Sequence, residues 1–89
     1  MPIAITLDQL SLRQCADIVG VDWAGMSDAE GRRLRALGID EGVRVEKLYK
    51  GMLGLSDPIA LKVGRMTVAL RRSHAQAISV EIVPVTIAA

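Results

Sequence analysis

The chain has 89 residues, enough for one domain, and 51% of them are apolar, so a core can be built. Eleven basic residues against ten acidic ones leave a formal charge of +1, which excludes the strongly basic footprint of a general nucleic-acid binder. One cysteine, Cys15, excludes an internal disulfide, and no stretch approaches the roughly 20 apolar residues of a transmembrane helix. The N-terminus also lacks the basic-then-apolar layout of a signal peptide, so a cytoplasmic protein is expected. Phe is absent and the only aromatics are Trp23 and Tyr49, so the core must be aliphatic.

Thr6 and Gln9 have capping-box spacing, which predicts a single helical turn running through Leu10. Residues 14–21 are apolar and rich in β-branched side chains, as in a first strand, with Gly20 placed for a bulge near its end. Ser27-Asp28-Ala29-Glu30 is the clearest helix start. Ser27 can cap the first turn and Glu30 can return the bond. The acids there suit the helix dipole. The helix should end at Leu37, with Gly38 left-handed and Ile39 packed back on Leu34. Met26, Ala29, Leu34, Ala36 and Leu37 are expected on its core side. Arg32 and Arg35 point elsewhere, and Arg33 falls in the apolar arc with its head in water. Gly31 in the helix interior costs about 1 kcal/mol relative to Ala, and the pattern offers no reason for it.

Strand signals follow. Val43-Arg44-Val45 alternates, then the phase slips at Glu46-Lys47 before Leu48, which predicts a bulge or bend. After a loop from Gly51 to Pro58, Ile59, Leu61 and Val63 alternate with Ala60 and Lys62. Gly64-Arg65 turns the chain, and Met66, Val68 and Leu70 alternate with Thr67 and Ala69, completing a hairpin. A helical turn fits at residues 73–76. In the last strand Ile78, Val80 and Ile82 face inward and Ser79 and Glu81 outward. Pro84 ends it and leaves a loose tail over 84–89. About five short strands, one helix and one or two helical turns predict a mainly β fold, a small closed barrel in one domain with its core over residues 6–83.

Residues that could carry chemistry are few and scattered. His74 is the single histidine and reads as a solvated turn residue. Cys15 reads as a small, buried apolar strand residue. The acids sit mostly at caps and turns, without metal-ligand spacing, and no glycine-rich loop precedes a Lys-Ser/Thr pair. No catalytic residue, cofactor or metal site is expected, and the reading is of a non-enzymatic binding module. Arg32 and Arg35 on the helix, with Arg71 and Arg72 beyond Leu70, read either as a solvated face or as candidate partner-binding groups suited to an acidic protein surface. Two aromatics give nucleic acid too few stacking platforms. Met52, Leu53 and Leu55 are three large apolar residues in a short glycine-flanked loop. They read either as a docking surface or as a plug for the barrel end.

Taken in order, several of these stretches resemble the FeoA family. Arg33-Leu34-Arg35-Ala36-Leu37-Gly38-Ile39 is similar to that family's Arg/Lys-Leu-x-x-Leu-Gly-hydrophobic helix ending, followed by the turn Asp40-Glu41-Gly42. Leu55-Ser56-Asp57-Pro58 resembles its Leu-Gly-Asp-Pro loop. Val68-Ala69-Leu70-Arg71-Arg72 and Ala77-Ile78-Ser79-Val80 resemble its terminal hairpin and last strand. The resemblance spans roughly Thr6 to Val83. It departs at Ser11-Leu12-Arg13, where a Pro- or Gly-containing turn is usual, and in the longer, more apolar loop over 51–55. The resemblance implies an SH3-like barrel. It also implies a partner, a membrane ferrous iron transporter with a cytosolic GTPase domain (FeoB-like), to which the chain would be recruited at the inner face of the membrane. Related barrels form the C-terminal domains of iron-dependent repressors, so a stand-alone regulatory or self-associating module is the alternative.

Overall fold

A computed structural model describes residues 4–50 and 58–83. The loop bearing Met52, Leu53 and Leu55, and the tail over 84–89, lie outside them. The described elements are β1 (Ala4–Thr6), β2 (Cys15–Val21), α1 (Asp28–Ala36), β3 (Arg44–Lys50), β4 (Ile59–Val63), β5 (Met66–Leu70), α2 (Arg72–Ala75) and β6 (Ile78–Ile82). Short 3-10 turns lie at Leu7–Gln9 and Trp23–Gly25. The strands form one antiparallel sheet in the order β1-β6-β2-β3-β4-β5.

Two register shifts bend this sheet around its core. One falls between Ile18 and Gly20, where β2 runs along β6, at the glycine the sequence marks for a bulge. The other falls between Lys47 and Tyr49, where β3 runs along β4, just beyond the slip expected at Glu46-Lys47. Val45 and Lys47 are both buried, so the alternation continues through position 47 with a lysine in a core position. The 59–63/66–70 hairpin forms as expected, turning at Gly64 with φ +61°. The strand over Ala4–Thr6, which pairs with β6, is three residues long, too short to show alternation in the sequence. The turn replacing the usual Pro or Gly is closed by the Gln14 N–H donating to the Ser11 carbonyl at 3.1 Å. Arg13 sits there in the left-handed region at φ +66°.

The core is aliphatic, with Leu7, Ile18, Leu34, Leu61, Ile78 and Val80 among its fully buried members. Helix α1 begins and ends as its residues dictate. Ser27 Oγ accepts from the Glu30 N–H at 3.1 Å. Gly38, at φ +92°, lets the Ile39 N–H reach the Leu34 carbonyl at 2.9 Å and its own N–H reach the Arg35 carbonyl at 3.0 Å.

Four expected inward residues are exposed. Ala29 and Ala36 face solvent, because at 3.6 residues per turn they lie well off the stripe through Leu34 and Leu37. Glu30, one turn before Leu34, is on that stripe and half-buried. Met66 is 51% exposed at the hairpin tip of an end strand, and Ile82 is exposed at the last position of β6.

Candidate functional site

Helices α1 and α2 are joined by a polar contact that the sequence does not advertise. His74 Nε2 is hydrogen-bonded to Glu30 Oε2. The His74 side chain is only 18% exposed, which corrects the expectation of a solvated turn histidine. The short helix carries it against α1 instead of into water. Glu30 is thereby used twice. Its other oxygen accepts from the Ser27 hydroxyl at 2.9 Å and from the Ser27 N–H at 3.4 Å. The bond from His74, and then those from Ser27, hold the Glu30 carboxyl below the usual carboxylate range.

Beside this contact lies a cavity of about 180 Å³ lined by Arg33, Leu34, Leu37, Leu70, Arg71 and His74, with Pro58 and Ala69 completing the rim. Leu34 and Leu70 are buried and Leu37 half-buried, so one wall is apolar. Arg33 and Arg71 are exposed. The cavity therefore sets two guanidinium groups against a dry wall.

The four arginines singled out in the sequence line three separate cavities. Arg71 lies in the one just described. Arg32 and Arg35 share another with Trp23 and Gly31. There the Arg35 guanidinium stacks 4.2 Å from the centroid of the Trp23 ring, and Trp23 Nε1 donates to Glu41 at 3.2 Å. A Cβ on Gly31 would meet the Trp23 ring at 3.6 Å, an ordinary contact, so the indole does not require a glycine. Arg72 lies with Asp8 in a third cavity, where its Nε is 3.9 Å from Asp8 Oδ2.

That third cavity also contains a residue that sequence reasoning missed. Lys47 is 1% exposed and its ammonium donates to the carbonyls of Asp8 at 3.0 Å and Leu10 at 2.8 Å. It ties the Leu7–Gln9 turn to the sheet. The slip in hydrophobic phase at position 47 was the signal. It marks a charged residue whose partners are main-chain oxygens far away in sequence.

Cys15 is partly exposed at the start of β2, opposite Glu46, which corrects the expectation of a buried strand residue. No group of three or more His, Cys, Asp or Glu among the described residues could hold a metal ion. His74 and Glu30 offer two donors, already bonded to each other beside two cations, a poor fit for a resident metal. No described helix is long and apolar enough to cross a membrane.

A bent six-stranded antiparallel sheet with one capped helix defines a small SH3-like domain; among the described residues its end strands β1 and β5 are not paired with each other, so the closure expected of a barrel without edges is not made. The FeoA domain matches residues 5–82, and the chain belongs to the FeoA family. It is 37% identical to FeoA of Stenotrophomonas maltophilia, a prokaryotic SH3 domain protein solved with zinc. The match covers 85% of this chain and 88% of that one, with a TM-score of 0.71. FeoA of Chlorobium tepidum is 30% identical over 90% of this chain and 71% of that one, with a TM-score of 0.77. A manganese-dependent transcriptional repressor shares the fold at 21% identity and a TM-score of 0.78. That match takes in 93% of this chain and only 38% of the repressor. No curated protein matches the sequence.

Proposed function

We propose that the protein is an accessory module of bacterial ferrous iron uptake. It would dock on the cytosolic, GTPase-bearing part of the membrane iron transporter and bias that partner toward one of its states. The observation that carries this reading is the FeoA domain over residues 5–82. The S. maltophilia relative is described as a candidate ferrous iron transport activating factor, which supports the same role here.

The docking surface in this reading includes the α1 and α2 arginines Arg32, Arg35, Arg71 and Arg72, together with the loop residues Met52, Leu53 and Leu55. A pull-down of the transporter's cytosolic domain by this chain, with GDP and with a GTP analogue, tests it. Retention of the domain supports the role, and no retention under either condition contradicts it.

A second reading, a self-associating barrel, is favoured by one observation. Strand β5 ends the sheet, so the main-chain N–H and C=O groups along its outer edge are where another strand can add. Sedimentation separates the two, since a stable homo-oligomer at micromolar concentration would favour the second.

A further inference from the structure

We propose that the cavity between α1 and α2 reads a carboxylate: it takes one acidic side chain, flanked by apolar residues, from the docked protein partner. The inference rests on the docking reading above and names the contact that docking would use.

Size limits the ligand first. About 180 Å³ accommodates an amino-acid side chain, whereas sites for nucleotides and similar small molecules run to roughly 300–1,000 Å³. No aromatic residue lines the cavity, so a base would find no stacking platform. Charge limits it next. Arg13, Arg44 and Arg72 each lie within 4 Å of a carboxylate, and Arg35 lies over an indole. Arg33 and Arg71 have no ion-pair partner among the described residues. Glu30, one turn before Arg33, directs its carboxylate oxygens to Ser27 and His74 and makes no ion pair with Arg33 or Arg71. Two guanidinium groups beside Leu34, Leu37 and Leu70 favour a planar anion that accepts paired N–H bonds, carried on a chain with apolar neighbours for the wall.

NMR titration of the 15N-labelled full chain tests this with three capped tripeptides: acetyl-Leu-Asp-Leu-amide, its asparagine counterpart and its phosphoserine counterpart. The aspartyl peptide is expected to bind saturably at millimolar concentration, moving the Nε–H signals of Arg33 and Arg71 and the amide of Leu70. The asparaginyl peptide is expected to bind about tenfold more weakly or less, for want of charge-assisted bonds. The double variant R33E/R71E, altered only at exposed positions, is expected to melt like the parent and to lose the shifts. Equal binding of the aspartyl and asparaginyl peptides, shifts at other residues, or binding of the phosphoserine peptide alone would overturn the proposal. Parent protein that binds the peptide yet never retains the transporter domain sinks the docking reading and leaves the cavity's specificity standing. Docking without peptide binding does the reverse.

Discussion

Two groups of cations lie at different places on this barrel, and the fold treats them in opposite ways. Lys47 is buried, and main-chain carbonyls of Asp8 and Leu10 take up its ammonium protons, so its charge is spent on holding a turn to the sheet. Arg33 and Arg71 keep their heads in water beside an apolar wall, with no carboxylate partner among the described residues. A cation satisfied internally stabilises the fold. A cation left at the rim of a cavity is available to something else. The contrast predicts that changes around Lys47 are read as stability and changes at Arg33 and Arg71 as binding.

Leu34 is common to both regions, because it is fully buried in the core and also walls the arginine cavity. Leu34→Ala should therefore have the largest effect, a loss of about 3 kcal/mol in urea unfolding. A loss under 1 kcal/mol would mean that α1 is not packed on the sheet as described. Lys47→Met keeps most of the volume but strands two carbonyls in a dry site. It should cost about 2 kcal/mol and leave partner binding per folded molecule unchanged. A neutral result would break the contrast from its structural side. Gly31→Ala should add about 0.5–1 kcal/mol, because the helix gains propensity and the new methyl meets only the Trp23 ring. Trp23 fluorescence reports whether the ring stays in place.

The subtlest effect is one of pH. The Glu30 carboxyl lies below its ordinary value of 4.5, so its bonds stabilise the fold above that pH and fade as pH falls through the folded value. Thermal melting from pH 7 to 3 should show Glu30→Gln losing stability less steeply than the parent below about pH 4.5. Asp17, held low by the Arg44 hydrogen bond, and Asp40, held low by hydrogen bonds from Glu41, should keep a residual slope in the variant. Identical slopes would show that the His74–Glu30 contact is absent in solution.

Local rules recover the parts of this molecule that are local. The Ser27–Glu30 cap, the Gly38 ending, the Gly64 hairpin and the Gly20 bulge each follow from residues within a few positions of one another. The features missed all depend on long separations. Glu30 reads as a cap because Ser27 is three residues away, while His74, its other partner, is 44 positions on. Lys47 looks like an interruption because the carbonyls that satisfy it are 37 and 39 residues distant. Arg33 and Arg71 converge only because α2 returns beside α1, and no periodicity encodes that. The expected inward alanines of α1 fail for a local reason instead: at 3.6 residues per turn Ala29 and Ala36 lie off the stripe through Leu34 and Leu37. The helix touches the sheet along a narrow stripe, and the position nearest Leu34 on it belongs to a glutamate.

An accessory module can move its partner only by binding two of the partner's states with different affinity. Calorimetric titration of the transporter's cytosolic domain with this chain, once with GDP and once with a GTP analogue, tests that most directly. Saturable one-to-one binding is expected, with affinities that differ by about tenfold between the two nucleotides and that R33E/R71E abolishes in both. Equal affinities, or no heat of binding in either state, would contradict the account.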